Sequence, residues 1–140
     1  MNFFDTNILT AASITAHPDH QVCNERLGQI RKAGAACAAH SLAEAYSTFT
    51  RMPMPYRVSP SDALRIVQHT SETCTLVSLT AVETLRTIRE IAERGLGGGL
   101  IYDALLLACA RKIGAKRIYT NNQKHFRRIA PDLASRIFEP

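Results

Sequence analysis

The chain has 140 residues, 46% hydrophobic and 21% charged, with 17 Lys and Arg against 12 Asp and Glu for a net charge of +5. This length suits one domain, expected to span residues 1–140, whose core needs no disulfide or metal to hold it. No apolar run reaches the roughly 20 residues of a membrane span, and the opening MNFFDTNILT lacks the basic segment of a signal peptide. A basic balance favours polyanionic partners, because neutralising phosphates releases counterions.

Asn2-Phe3-Phe4 reads as a short strand with Asp5 at its carboxyl end. From Asp19 to Lys32, Cys23, Leu27 and Ile30 recur at helical spacing, and Gly34 closes that helix. Ala35 to Ala39 is small and apolar, as in a buried strand. Ser41-Leu-Ala-Glu44 has the form of a capping box, predicting a helix to about Arg51, and Met52-Pro53-Met54-Pro55 stops it. Ser59-Pro60-Ser61-Asp62 opens a further helix. Cys74 to Leu79 reads as a strand, and Thr80-Ala-Val-Glu83 as a second capping box. Val82, Leu85, Ile88 and Ala92 supply the apolar stripe of the helix it begins. Gly95 to Gly99 breaks that helix, and Ile101 to Ile113 is helical, closed by Gly114. Arg117 to Thr120 and Arg136 to Phe138 complete the strands.

Strands alternating with helices along the whole length predict an α/β chain: a three-layer α/β/α sandwich around a mainly parallel sheet. The four cysteines form no CxxC pair and have small or apolar neighbours, so buried reduced thiols and a cytoplasmic protein are expected. His17-Pro-Asp-His20 has the spacing of a metal pair but no further ligand nearby, and a surface loop is the better reading.

Ligands of such sheets bind at the carboxyl ends of the strands. Asp5 follows the first strand, Glu44 lies in the helix after the second, Asp103 opens a late helix and Thr120-Asn121-Asn122 follows a late strand. Each acid has a local alternative: Asp5 as a helix cap, Glu44 as half of a capping box, Asp103 as a first-turn residue favoured by the helix dipole. Asp103 is the hardest to explain locally. Its helix is apolar on every face, no cation stands three or four residues on, and burying a lone carboxylate costs several kcal/mol. Three clustered carboxylates raise one another's pKa, and a hard divalent ion, Mg²⁺ or Mn²⁺, relieves the repulsion. Such an ion suits hydrolysis of a phosphodiester by an activated water.

Asp5-Thr6-Asn7 after the first strand, Glu44 within Ser41-Leu-Ala-Glu44-Ala-Tyr46, Gly99-Leu-Ile-Tyr-Asp103-Ala-Leu, and Tyr119-Thr120-Asn121-Asn122-Gln-Lys-His125-Phe126 together resemble the PIN-domain family. More narrowly they resemble the VapC-type toxins of bacterial toxin–antitoxin pairs. The match runs in order over almost the full chain, and Arg51-Met-Pro-Met-Pro-Tyr-Arg57 resembles that subfamily's connector.

The resemblance implies a metal-dependent endoribonuclease in which Asp5, Glu44 and Asp103 bind Mg²⁺ or Mn²⁺. Thr6 and Thr120 would support the site. Asn122 stands where the family often has a fourth acid; it can orient a water but brings no charge, which favours one tightly held ion. Arg51 and Arg57 would contact RNA phosphates. A small antitoxin and a homodimer are the implied partners, and Met54, Pro55 and Tyr56 offer an apolar surface that such a partner could cover, unless they pack inward. Other readings are a housekeeping RNase of the same type, a catalytically silent RNA-binding module, and a receiver-type phosphoacceptor domain. For the last, the strand Cys74–Leu79 lacks the terminal Asp it needs.

Overall fold

The computed structural model describes residues 1–140. Five short strands form one sheet: β1 (Asn2–Phe4), β2 (Ala35–Ala38), β3 (Thr75–Val77), β4 (Arg117–Tyr119) and β5 (Ile137–Phe138). Their order is β3-β2-β1-β4-β5 and every pairing is parallel. The sheet is therefore wholly parallel, one step beyond the mainly parallel expectation. Parallel neighbours need crossover segments, and the helices supply them.

Between β1 and β2 run α1 (Thr6–Ser13) and α2 (His20–Lys32), and between β2 and β3 run α3 (His40–Arg51) and α4 (Pro60–Thr73). Between β3 and β4 lie α5 (Ala81–Glu93) and α6 (Leu100–Lys112). Then α7 (Gln123–Ile129) and a 3₁₀ turn (Pro131–Arg136) lead to β5. Because strand side chains alternate between faces, Phe4, Cys37 and Tyr119 pack with residues of α1 to α4, while Phe3, Ala36, Ile118 and Ile137 pack with those of α6 and α7. Two cores on opposite faces make the three layers.

The chain crosses from β1 to β2 and β3 on one side, then returns to place β4 on the other side of β1. A crevice opens at the carboxyl end of a sheet where the winding reverses in this way. Here the reversal lies between β1 and β4, where Asp5 and Thr120 emerge.

Several local expectations need correction. α1 and α7 were not legible as helices. α3 begins at His40 with Ala39 in the cap position and no side-chain cap bond, so Ser41 and Glu44 form no capping box. Ser41 is instead fully buried, its hydroxyl without a partner. The stripe Val82, Leu85, Ile88 and Ala92 faces solvent, and α5 buries Thr87 and Ile91 instead. The reason is position: β3 is an edge strand, and α5 leans on α6 rather than covering the sheet. At the exposed end of α6, Arg111 pairs with Asp132 at 2.7 Å and Lys112 with Glu83 at 2.7 Å.

Other local expectations hold. Ser59 caps α4 with Pro60 in its first turn, and Thr80 and Glu83 form both bonds of a capping box. Gly34 and Gly114 turn the chain at φ of 90° and 62°, a conformation costly to residues with a Cβ. The four cysteines are unpaired; burial pushes the Cys37 thiol up to about 12 and that of Cys109 to about 11, so both stay protonated. His17 accepts from the amide of Asp19 and His20 lies against the carbonyl of Ala11, as suits a loop leading into a helix.

Candidate active site

The crevice is an open pocket of about 780 Å³. Of its twelve lining residues only Ala43 and Tyr102 are apolar, and Arg51 is the only cation. A pocket for a drug-like molecule would be mostly apolar; this one suits a charged, hydrated ligand.

Asp5 ends β1 at the start of α1, in extended conformation (φ −75°, ψ 153°), with no side-chain cap bond. Its carboxylate accepts instead from the hydroxyl of Thr120, 2.7 Å away at the end of β4. Asp5 is 5% exposed, and burial, reinforced by the nearby Asp103 and Glu44 charges, pushes its carboxyl up to about 6 despite the Thr120 bond. Thr120 is fully buried, accepts from the amide of Asn122, and takes a longer contact from the Asn7 side chain at 3.4 Å.

Glu44 reaches the pocket from the second turn of α3, where it accepts from the hydroxyl of Thr6 at 3.0 Å. His40 lies 3.7 Å from its other oxygen, too far for a hydrogen bond. Ser47, Thr48 and Arg51 also line the pocket, and positions 44, 47, 48 and 51 share one helix face. Asp103 enters from the first turn of α6, its side chain 25% exposed, 2.8 Å from His125 Nδ1. Burial raises its carboxyl and the His125 imidazole opposes that shift.

Asp5, Thr6, Glu44, Arg51, Asp103 and Asn122 thus share one pocket, with Thr120 behind Asp5. Arg57 does not line it; its Nε donates to the carbonyl of Met52 at 2.9 Å. No three His, Cys, Asp or Glu side chains stand close enough together in this structure to hold a metal ion among them. Sequence reading missed Asn7, Ser47, Thr48 and His125. The polar positions 44, 47, 48 and 51 carried a helical signal, whereas His125 meets Asp103 only through the packing of α7 on α6. The connector's Met54 is 72% exposed and Tyr56 42%, so neither packs inward. No helix is long and apolar enough to cross a membrane.

The PIN domain family model matches residues 3–131. Ribonuclease VapC40 of Mycobacterium tuberculosis is 31% identical over 112 residues, 80% of each chain, and Ribonuclease VapC27 of the same organism is 38% identical over 76 residues, 54% of each. Among solved structures, M. tuberculosis VapC20, described as a Sarcin-Ricin loop cleaving toxin, superposes with a TM-score of 0.72 at 17% identity, covering 89% of this chain and 92% of that one. VapBC2 of Rickettsia felis, bound to a promoter DNA fragment, gives 0.68 at 22% identity, covering 99% and 97%. With the family model spanning nearly the whole chain and the acids gathered at its sheet's switch point, the chain belongs to the PIN-domain family, among the VapC ribonucleases.

Proposed function

We propose that the chain is a Mg²⁺- or Mn²⁺-dependent endoribonuclease acting as the toxin of a toxin–antitoxin pair in the cytoplasm. The observation that carries this reading is the meeting of Asp5, Glu44 and Asp103, from three separate elements, in a pocket whose single cation is Arg51. Three carboxylates would repel an RNA phosphate unless a cation stood between them. The donor set is all oxygen, which suits Mg²⁺ or Mn²⁺ rather than Zn²⁺. Mg²⁺ keeps several waters and is commonly held through one or two carboxylates, so it needs no three-carboxylate group, and Asp5, Glu44 and Asp103 all line the one pocket.

Asp5, Glu44 and Asp103 would hold the ion, which when bound supplies an activated water and neutralises charge on the phosphate. Thr120 and Thr6 fix the carboxylates of Asp5 and Glu44 by hydrogen bonds. Asn122, at the start of α7, orients the attacking water through its carboxamide. Arg51 takes a phosphate at the pocket wall, and Arg57, outside it, contributes at most to the approach of RNA. Replacing Asp103 with Asn is expected to abolish divalent-ion-dependent RNA cleavage while leaving cooperative unfolding intact. Equal cleavage by that variant would end the assignment.

The VapBC complexes among the structural neighbours support an antitoxin partner. The exposed Met54 and Tyr56 beside the pocket's α3 offer it an apolar seat, and the exposed Val82, Leu85 and Ile88 of α5 suit a homodimer contact. Co-expression with a small protein encoded next to the chain should yield a complex with suppressed cleavage. Harmless expression of the chain alone, with no such partner, would instead indicate a housekeeping RNase.

A further inference from the structure

We infer that His125 is a positioning residue for Asp103: from α7 its Nδ1 stands 2.8 Å from one oxygen of the carboxylate and holds it so that the other is presented to the pocket. This rests on the reading of the pocket as a metal site. Each carboxylate of the pocket meets a polar partner from a different element: Asp5 and Glu44 accept hydrogen bonds from Thr120 at 2.7 Å and Thr6 at 3.0 Å, and Asp103 has an ion-pair contact with His125 Nδ1 at 2.8 Å. The first two donors are hydroxyls. The third partner is an imidazole, whose Nδ1 is able to donate to an ionised carboxylate. No hydroxyl or backbone amide holds the Asp103 carboxylate, which is why the imidazole matters most there.

The helix that carries His125 is anchored through the residues that follow it. Phe126 is fully buried and Ile129 nearly so. Arg94, just past the end of α5, donates to the carbonyls of Ile129 at 2.6 Å and Arg128 at 3.0 Å, and Arg127 donates to the carbonyl of Ile137 at 2.9 Å. The ring is thus delivered by a fixed support, as a positioning group requires. Asn122 precedes the same helix and lines the pocket, so α7 sets two groups of the site at once. A ligand carboxylate left without its outer hydrogen bond loses orientation, and such losses typically weaken metal binding about 10–100-fold.

The test is Mn²⁺ titration calorimetry on the full chain, with melting temperature in EDTA and RNA cleavage read alongside. His125→Ala is expected to weaken Mn²⁺ binding about 10–100-fold with the EDTA melting temperature nearly unchanged. His125→Asn, whose amide can donate from about the place of Nδ1, is expected to recover much of the loss. Cleavage should fall in kcat with little change in KM for RNA. Wild-type affinity in His125→Ala would overturn the inference alone, and tighter binding would do so by marking His125 as a competitor of the ion. An equal loss in Ala and Asn variants that also melt lower in EDTA would reduce His125 to a structural contact. Absence of Mn²⁺ binding by the wild type would overturn the metal reading and this inference with it.

Discussion

Two segments of the chain share the pattern Ser/Thr-x-x-Glu at the head of a helix, Ser41 to Glu44 on α3 and Thr80 to Glu83 on α5, and the fold uses them in opposite ways. Thr80 precedes the first turn of α5: its hydroxyl accepts from the amide of Glu83 at 3.2 Å and Glu83 accepts from the amide of Thr80 at 2.7 Å. Glu83 then also binds Lys112, and these donors hold its carboxyl down at about 2. On α3 the helix starts two residues early, at His40 rather than Leu42, so Ser41 already lies inside it and cannot reach back over its own end. Glu44, released from the cap, turns to Thr6 and the pocket. The pattern alone does not separate a cap from a site. The position of the first helical residue does, and for α3 that is set by β2, which runs to Ala38 and leaves one residue before the helix.

The sharpest way to break this comparison is to neutralise each glutamate. Glu44→Gln is expected to lower divalent-ion-dependent RNA cleavage by at least about 100-fold, with its melting temperature in EDTA close to wild type. Glu83→Gln should leave cleavage within about twofold while lowering the melting temperature. Similar cleavage losses in both variants would show that the α3 glutamate acts through the fold rather than the pocket.

A second prediction uses acid titration, where pocket and cap acids should act with opposite sign. The Asp5 carboxyl is raised to about 6, above its unfolded value near 3.8, so the folded state binds the proton more tightly. Its contribution to metal-free stability is therefore greatest below about pH 4 and is lost as pH rises through about 6. Glu83 is lowered to about 2, so its contribution is present above about pH 4.5 and is lost as pH falls towards 2. Urea unfolding in EDTA at stepped pH should show Asp5→Asn flattening the loss between pH 4 and 6, and Glu83→Gln flattening the loss below 4.5. An Asp5→Asn curve parallel to wild type across pH 4–6 would contradict the burial of that charge.

The smallest effects come from the two hydroxyls. Thr80→Ala should cost about 1 kcal/mol, the usual value of a helix cap. Ser41→Ala should be neutral or slightly stabilising, because it removes a buried hydroxyl that has no partner. Denaturant midpoints of the two variants measure this directly, and an equal loss in both would erase the distinction.

The same contrast shows how much was legible before folding. Alternation of apolar runs and capped helices gave the layers, because each strand had to be buried on both faces and each crossover had to return over the sheet. Asp5 and Asp103 stood out as charges in apolar surroundings. α1 escaped notice because Thr6 to Ser13 carries no charged residue to mark a solvent face, and α7 because it has only seven residues. The solvent-facing stripe of α5 misled because periodicity reports that a helix has an apolar side, not which neighbour covers it. His125 stood within a quoted motif, but its role was not legible, because its meeting with Asp103 depends on α6 and α7 being brought together across the intervening strand β4.

The hydrogen bond between Thr120 and Asp5 joins residues 115 apart, and it has a consequence for when the pocket exists. β1 is a central strand, yet its neighbour β4 is made after more than four-fifths of the chain. A nascent chain that has emerged as far as Glu44 or even Glu93 holds two of the three acids but lacks the wall that Asp103, Thr120 and Asn122 complete. Loop closure over such a distance is among the slower steps of folding. Synthesis from the N-terminus therefore leaves the pocket unassembled until β4 and the head of α7 have been made and have joined β1.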